Sequence, residues 1–286
     1  MTELERKRKT LELRAAEIRR LTLGQIHKVG IGHLGGSLSV ADLLAVLYFD
    51  KMRVDAKNPK WADRDRLVMS KGHAGPAVYA CLAMRGFIPM EELDTLNQPY
   101  TNLPSHCDMN RTPGIDMTTG SLGQGISCAM GIAMACRADG RDNNIYFVCG
   151  DGETQEGQIW EAAMFAGHRK LGRVIGFLDY NRLQIDGTTD DICSLESPAK
   201  KYEAFGWRTE EIDGHDVIAI SDAIERAKMQ SEKPTMIVLH TTKGKGVPEI
   251  ENQASNHNCN VNDALFAAAS ARLDSEIAAL KEVLAQ

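Results

Sequence analysis

Apolar residues near the N-terminus recur at helical spacing. Leu11, Ala15, Ile18 and Leu21 form one stripe, which predicts a helix over about residues 3–29. Gly30, Gly32, Gly35 and Gly36 break it. Ser39 and Asp42 have the spacing of a capping box and predict a helix reaching about Phe49. Arg66 to Met69 reads as a short strand. Pro76 suits the first turn of a helix that ends near Gly86, and Pro89 with Glu91 starts a shorter one. After Gly125 a helix runs to about Arg137. Two apolar runs of strand length, Ile145 to Cys149 and Val174 to Leu178, flank a helical span from about Gln158 to Leu171. Ser197-Pro198 opens a helix that stops at Gly206. Trp207 to Ile212 is a strand, Asp213 to Asp216 a turn, Val217 to Gln230 a helix and Thr235 to Thr241 a strand. Leu273, Ile277, Leu280 and Leu284 mark an amphipathic C-terminal helix over about 262–285. Strands alternating with helices predict an α/β fold: a doubly wound, mostly parallel sheet with helices on both faces. No repeat, low-complexity tract or Gly/Ser linker divides the chain, so residues 1–286 are expected to form a single domain.

Composition narrows the function. The 286 residues are 43% hydrophobic and 25% charged, ordinary for a globular protein, and suffice for a full core. A net charge of −6 argues against a general nucleic-acid binder. No apolar run is long enough to span a membrane, and the first residues lack the apolar core of a signal peptide. Arg6-Lys7-Arg8-Lys9 is expected to be a solvated helix face. The seven cysteines (81, 107, 128, 136, 149, 193 and 259) form no Cys-x-x-Cys pair. They read as small hydrophobes in a reducing, cytoplasmic setting.

The chemistry centres on Gly150 to Gly187. A right-handed crossover between the strands before Asp151 and before Asn181 brings both residues to one edge of a parallel sheet, where such folds bind ligands. A carboxylate and an amide oxygen are hard ligands, suited to Mg²⁺ or Ca²⁺. Two protein oxygens leave most of an octahedron to waters and phosphate. Gly150 and Gly152 let a diphosphate approach the backbone, and the helix start beyond them favours negative charge. An acidic turn and a loop asparagine in an ordinary α/β domain are the bland alternative.

Gly150-Asp151-Gly152, with Asn181 thirty residues on, resembles the thiamine-diphosphate fingerprint. With Glu156-Gly157, Glu161-Ala162 and Gln184-Ile185-Asp186-Gly187 the string resembles transketolase in particular. The resemblance is colinear from about Leu11 to His257. It implies a thiamine-diphosphate-binding fold with thiamine diphosphate and Mg²⁺ as cofactors, Ca²⁺ or Mn²⁺ being able to substitute. The implied metal ligands are Asp151, Asn181 and the carbonyl of Leu183. His33, His73 and His106 match histidine loops of that family, and His257 matches more weakly; they are implied to line the channel above the thiazolium, with His73 and His257 also facing the cofactor. Carbon–carbon cleavage there leaves negative charge on a ketose oxygen, which such groups stabilise while moving protons. Gly120 and Leu122 match the loop whose backbone touches the aminopyrimidine, a helix-entry turn being the alternative. Glu156 and Glu161 are implied to sit where two active sites meet, a solvated helix face being the alternative. His27, His168, His215 and His240 keep an ordinary structural reading. Although the glycines of Thr118 to Gly125 superficially resemble a dinucleotide fingerprint, no strand precedes them and the full pattern is missing.

A full transketolase is more than twice this length. The resemblance therefore implies an N-terminal, diphosphate-binding subunit that works with a separate C-terminal subunit carrying the pyrimidine-binding domain, as α2β2. Its activity would be transfer of a two-carbon ketol unit from a ketose or its phosphate to an aldose or its phosphate, in the pentose phosphate pathway or a specialised sugar catabolism. Lys243-Gly244-Lys245-Gly246 departs from the single-chain pattern towards that of deoxyxylulose-phosphate synthase, which leaves the sugars open. Two other readings compete: the α subunit of a 2-oxo-acid dehydrogenase, and a non-catalytic paralogue.

Overall fold

The computed structural model describes residues 1–230 and 232–286. In chain order its helices are α1 (Glu3–Val29), α2 (Gly35–Leu38), α3 (Ala41–Val46), α4 (Gly75–Met84), α5 (Gln124–Ala138), α6 (Gly157–His168), α7 (Thr189–Cys193), α8 (Pro198–Ala204), α9 (Val217–Lys228) and α10 (Asp263–Ala285). Its strands are β1 (Ile31–Gly32), β2 (Arg66–Met69), β3 (Ile145–Gly150), β4 (Val174–Tyr180), β5 (Leu183–Gln184), β6 (Gly187–Thr188), β7 (Arg208–Asp213), β8 (Thr235–His240) and β9 (Cys259–Asn260). The central sheet has the order β2-β3-β4-β8-β7, and every pair in it is parallel. Alternation along its strands sends side chains to two cores. Tyr146, Val148, Ile175, Phe177, Ile237 and Leu239 pack with α1, α3, α4 and α9. Phe147, Cys149, Val174, Leu178, Met236 and Val238 pack with α5, α6 and α8. Helices thus cover both faces, as a parallel sheet buried on both sides requires.

Local chemistry sets the helix ends. The Thr2 hydroxyl accepts from the Glu5 amide at 3.2 Å while the Glu5 carboxylate accepts from the Thr2 amide at 2.7 Å, closing a capping box. Asp216, Ser197 and Asn262 cap α9, α8 and α10. Gly167 lets α6 lie against the turn after α8, where an added Cβ would stand 1.8 Å from the Phe205 carbonyl oxygen. Gly167→Ala is therefore expected to force the two apart at a cost of about 1–3 kcal/mol, seen as a lowered melting temperature. An unchanged melt would mean that the contact yields freely.

Two expectations need correction, and two gain detail. The helix expected to reach about Phe49 is present, running from Ala41 through α3 and on as a π-helix over Leu47–Lys51, but Ser39 and Asp42 form no capping box at its start. The Ser39 hydroxyl donates to Asp179 at 2.7 Å, and Asp42 is paired with Arg19. The short α2 precedes this helix, separated by the turn at Ser39 and Val40. The basic cluster is no free surface either: Lys7 pairs with Asp50 and Arg8 with Asp216, each at 2.9 Å, which ties α1 to the π-helix after α3 and to the start of α9. The segment begun by Pro89 is a 3₁₀ helix, Met90–Thr95. Among the described residues no helix is long and apolar enough to cross a membrane.

Candidate cofactor site at the carboxyl ends of the strands

The site lies where β2, β3, β4 and β8 end. Asp151 follows β3, Asn181 follows β4, Lys71 lies just past β2, and Lys243 lies beyond β8. The Asp151 carboxylate is 2% exposed. It accepts from the Gly152 amide at 2.8 Å and from the Arg182 amide. Burial, together with the nearby Asp179 carboxylate, raises its pKa to about 7. A desolvated carboxylate without an ion-pair partner among the described residues is a place for a cation. Asn181 presents its amide oxygen to the Leu183 amide at 3.1 Å, and the Leu183 carbonyl accepts from the Lys243 ammonium at 3.2 Å. Asp151, Asn181 and Leu183 all line one cleft with Gly150, Gly152 and Lys243. One carboxylate, one amide oxygen and one carbonyl there fit a hard divalent ion, and the cationic wall fits a phosphate.

Three groups that sequence reasoning did not single out hold this cleft in shape. Asp179, fully buried, accepts from Lys71 at 2.5 Å, from Ser39, from Thr241 and, at 3.1 Å, from the amide of Asn181. The last contact turns the Asn181 oxygen away from Asp179. Lys71 also donates to the Gly36 carbonyl at 2.7 Å. Although burial opposes it, the Lys71 ammonium and the other donors hold Asp179 below the usual carboxylate range. Glu153 accepts from Ser70 at 2.5 Å and from the amides of Gly123 and Gly150, each at 3.0 Å, stitching β2, β3 and the start of α5 together. A lysine set among small residues at a strand end, in Ser70-Lys71-Gly72, was the available signal for Lys71.

The four histidines of the family loops come together. His33 has ring centroids 5.4 Å from His73, His106 and His257, and His73 lies 4.9 Å from His257. Burial lowers the pKa of each, with Lys71 adding to the effect at His73 and Lys243 at His257, which falls to about 4. Four neutral imidazoles at one cleft can donate, accept and pass protons without repelling one another. Gly120, at φ +138°, passes under His106, where a Cβ would be 2.9 Å from the ring. Leu122, 39% exposed, lines the cleft, as does exposed Glu156. Glu161 instead shares a shallow groove between α5 and α6 with Met130, Met134 and Phe165. The remaining histidines lie elsewhere: His27 stacks on Phe266, His240 pairs with Glu211, His168 ends α6, and His215 is tied to Asp42.

Fold and site together define an α/β cofactor-binding protein of the doubly wound kind. Residues 11–281 match the family model described as transketolase, thiamine diphosphate binding domain. The chain is 55% identical over 266 residues to the 6-deoxy-6-sulfo-D-fructose transketolase subunit SqwG of Clostridium sp., covering 93% of this chain and 97% of that one. It is 42% identical to an apulose-4-phosphate transketolase subunit of Phocaeicola vulgatus, covering 87% and 88%. The crystal structure of Campylobacter jejuni transketolase superposes with a TM-score of 0.85 at 32% identity, over 96% of this chain but 47% of that one. The chain thus spans about half the length of that solved transketolase. It belongs to the transketolase family, as an enzyme subunit that carries the thiamine diphosphate binding domain.

Proposed function

We propose that this chain is the N-terminal subunit of a two-polypeptide transketolase that moves a two-carbon ketol unit between sugars. The observation that carries the reading is the cleft where buried Asp151 meets Asn181 and the Leu183 carbonyl beneath four clustered histidines. When bound, thiamine diphosphate supplies the electron sink for carbon–carbon cleavage. Asp151, Asn181 and Leu183 would hold Mg²⁺ against its diphosphate, Gly150 and Gly152 let the phosphates close on the backbone, and Lys243 adds positive charge at their side. His73 and His257 would face the cofactor, and Gly120 and Leu122 would form the wall for its aminopyrimidine. His33 and His106 stand further out, where neutral imidazoles donate to a sugar oxygen as it gains charge and take up or release its proton. Glu156, with Glu161, lies towards a second copy of the site. The whole chain then acts as one diphosphate-binding domain in the cytoplasm.

Relatives named for 6-deoxy-6-sulfo-D-fructose and for apulose-4-phosphate favour a specialised sugar catabolism over the pentose phosphate pathway. The histidine cluster favours ketol transfer over 2-oxo-acid oxidation, which needs no such proton-moving wall for a sugar. Co-expression with the adjacent gene product, followed by assay with ketose donors and aldose acceptors, tests the reading. Ketol transfer supports it, and oxidative decarboxylation with a lipoyl acceptor overturns it. In the active complex His33→Ala and His106→Ala are each expected to retain cofactor while kcat falls roughly 10²–10³-fold. Near-normal kcat in both would remove the histidines from the chemistry.

A further inference from the structure

One residue before Lys243, the chain is gripped by a histidine outside the cleft. The Arg19 guanidinium on α1 pairs with Asp42 on α3, and all three of Arg19, Asp42 and His215 are largely shielded from solvent. Asp42 Oδ2 lies 2.7 Å from His215 Nδ1. On the other side of the ring, His215 Nε2 accepts from the Thr242 backbone amide at 2.8 Å. These contacts fix the tautomer. A ring nitrogen that accepts from an N–H carries no proton, so the proton sits on Nδ1 and is donated to Asp42. The turn that carries His215 is packed hard against the end of β8, since a Cβ on Gly214 would stand 2.4 Å from the Thr241 methyl. Lys243 follows directly, with its ammonium at the Leu183 carbonyl and its own carbonyl held by Asn252 and Asn256. None of Arg19, Asp42 and His215 lines the cleft.

We propose that His215 is a positioning residue for the cofactor: its bond to Asp42 sets the tautomer that leaves Nε2 free to accept, and through Nε2 it clamps the Thr242 amide and so aims the Lys243 ammonium into the cleft at the diphosphate. The inference rests on the reading that Lys243 faces the diphosphate. A lysine on a free loop would spread its charge over many positions, whereas a backbone fixed one residue away restricts the side chain to a few. The two ring nitrogens do different work, and two substitutions separate them. The amide nitrogen of Asn can replace Nδ1 but reaches nothing at Thr242. The amide oxygen of Gln can replace Nε2 and accept from Thr242.

The test uses the complex with the partner subunit, titrated calorimetrically with thiamine diphosphate and Mg²⁺, alongside amide hydrogen exchange at Thr242. Lys243→Met is expected to weaken cofactor binding roughly 10–100-fold, as loss of a charged donor does. His215→Asn should lose Thr242 protection and weaken binding about 10-fold, while His215→Gln keeps both near wild type. The double variant His215→Asn/Lys243→Met should bind within about 2-fold of Lys243→Met alone, since one residue acts through the other. Wild-type affinity in His215→Asn, or additive loss in the double variant, overturns the inference while leaving Lys243 in place. Wild-type affinity in Lys243→Met instead removes the reading beneath it. Should His215→Asn fail to fold, His215→Gln still decides: weakened binding with Thr242 fully protected overturns the clamp.

Discussion

Purified by itself, this chain is expected to show no ketol transfer and to gain it when a second, different polypeptide is added. On the proposed reading, the cleft at the strand ends would supply metal ligands, a cationic wall and the histidines, all for the diphosphate and thiazolium end of a cofactor. By the family pattern the aminopyrimidine end needs a glutamate from another domain. Glu156 is exposed at the rim of the cleft and Glu161 sits in the groove between α5 and α6, and on the proposed reading both lie towards a second site rather than over that ring. On this reading the same groove would give the partner a surface. Met164, 56% exposed, and Phe165, 39% exposed, stand out from α6 beside Met134 of α5. Obligate interfaces are large and apolar, commonly above roughly 2,000 Å². A two-fold arrangement of both chains would then complete two sites. Phe165→Glu is expected to leave this chain folded while weakening assembly by roughly 10²-fold, the scale of an interface hot spot. The mixture should also melt at a higher temperature than either chain, because assembly draws on the folded state alone. Robust turnover by this chain, with no second polypeptide detectable by mass spectrometry, would defeat the proposal.

Asp151→Asn is expected to abolish Mg²⁺-dependent binding of thiamine diphosphate, weakening it by roughly 10²-fold or more. Removing one partner of a buried charge pair costs about 3–5 kcal/mol, and each 1.36 kcal/mol is tenfold. The substitution keeps the shape and one acceptor, for the Arg182 amide, but deletes the charge and gives up the acceptor for the Gly152 amide. Because that charge is buried without an ion-pair partner among the described residues, its removal offsets the lost Gly152 bond, and the metal-free chain should melt close to wild type. A residue whose loss ruins binding yet spares or raises stability serves the ligand rather than the fold. Calorimetric titration and a melt of the same preparation read both effects. Wild-type cofactor affinity would displace Asp151 from the metal site.

The sheet was legible because its signals are local. Ile145 to Cys149 and Val174 to Leu178 announce β3 and β4 by length and β-branched or aromatic content, and the crossover rule alone brings Asp151 and Asn181 together. The α1 boundaries were readable from the stripe and from Gly30. What stayed hidden depends on partners far along the chain. Asp42 looks like half of a capping box until Arg19, 23 residues earlier, and His215, 173 residues later, claim its carboxylate. Lys71 looks like a solvated lysine until Asp179 arrives 108 residues later. The short β5–β6 hairpin and α7 have too few residues for periodicity to speak. The histidine loops were legible only by their resemblance to a family, since nothing in their spacing says that four imidazoles will meet.

Asp179 ties the act of folding to the ability to bind. Its four donors come from after α2, after β2, after β4 and after β8, so the hub closes only when the strands around β4 have docked. A chain that has paired β3 with β4 but not yet brought in β2 and β8 holds Asp179 without its lysine, next to an equally uncompensated Asp151. Such a chain lacks the Lys71, Ser39 and Thr241 donors that hold Asp179, and through it Asn181, in place. Metal-binding competence should therefore arrive in one step with the completed sheet, and be lost in one step when β2 or β8 peels away. A ligand that binds only the completed site would in turn stabilise the completed sheet.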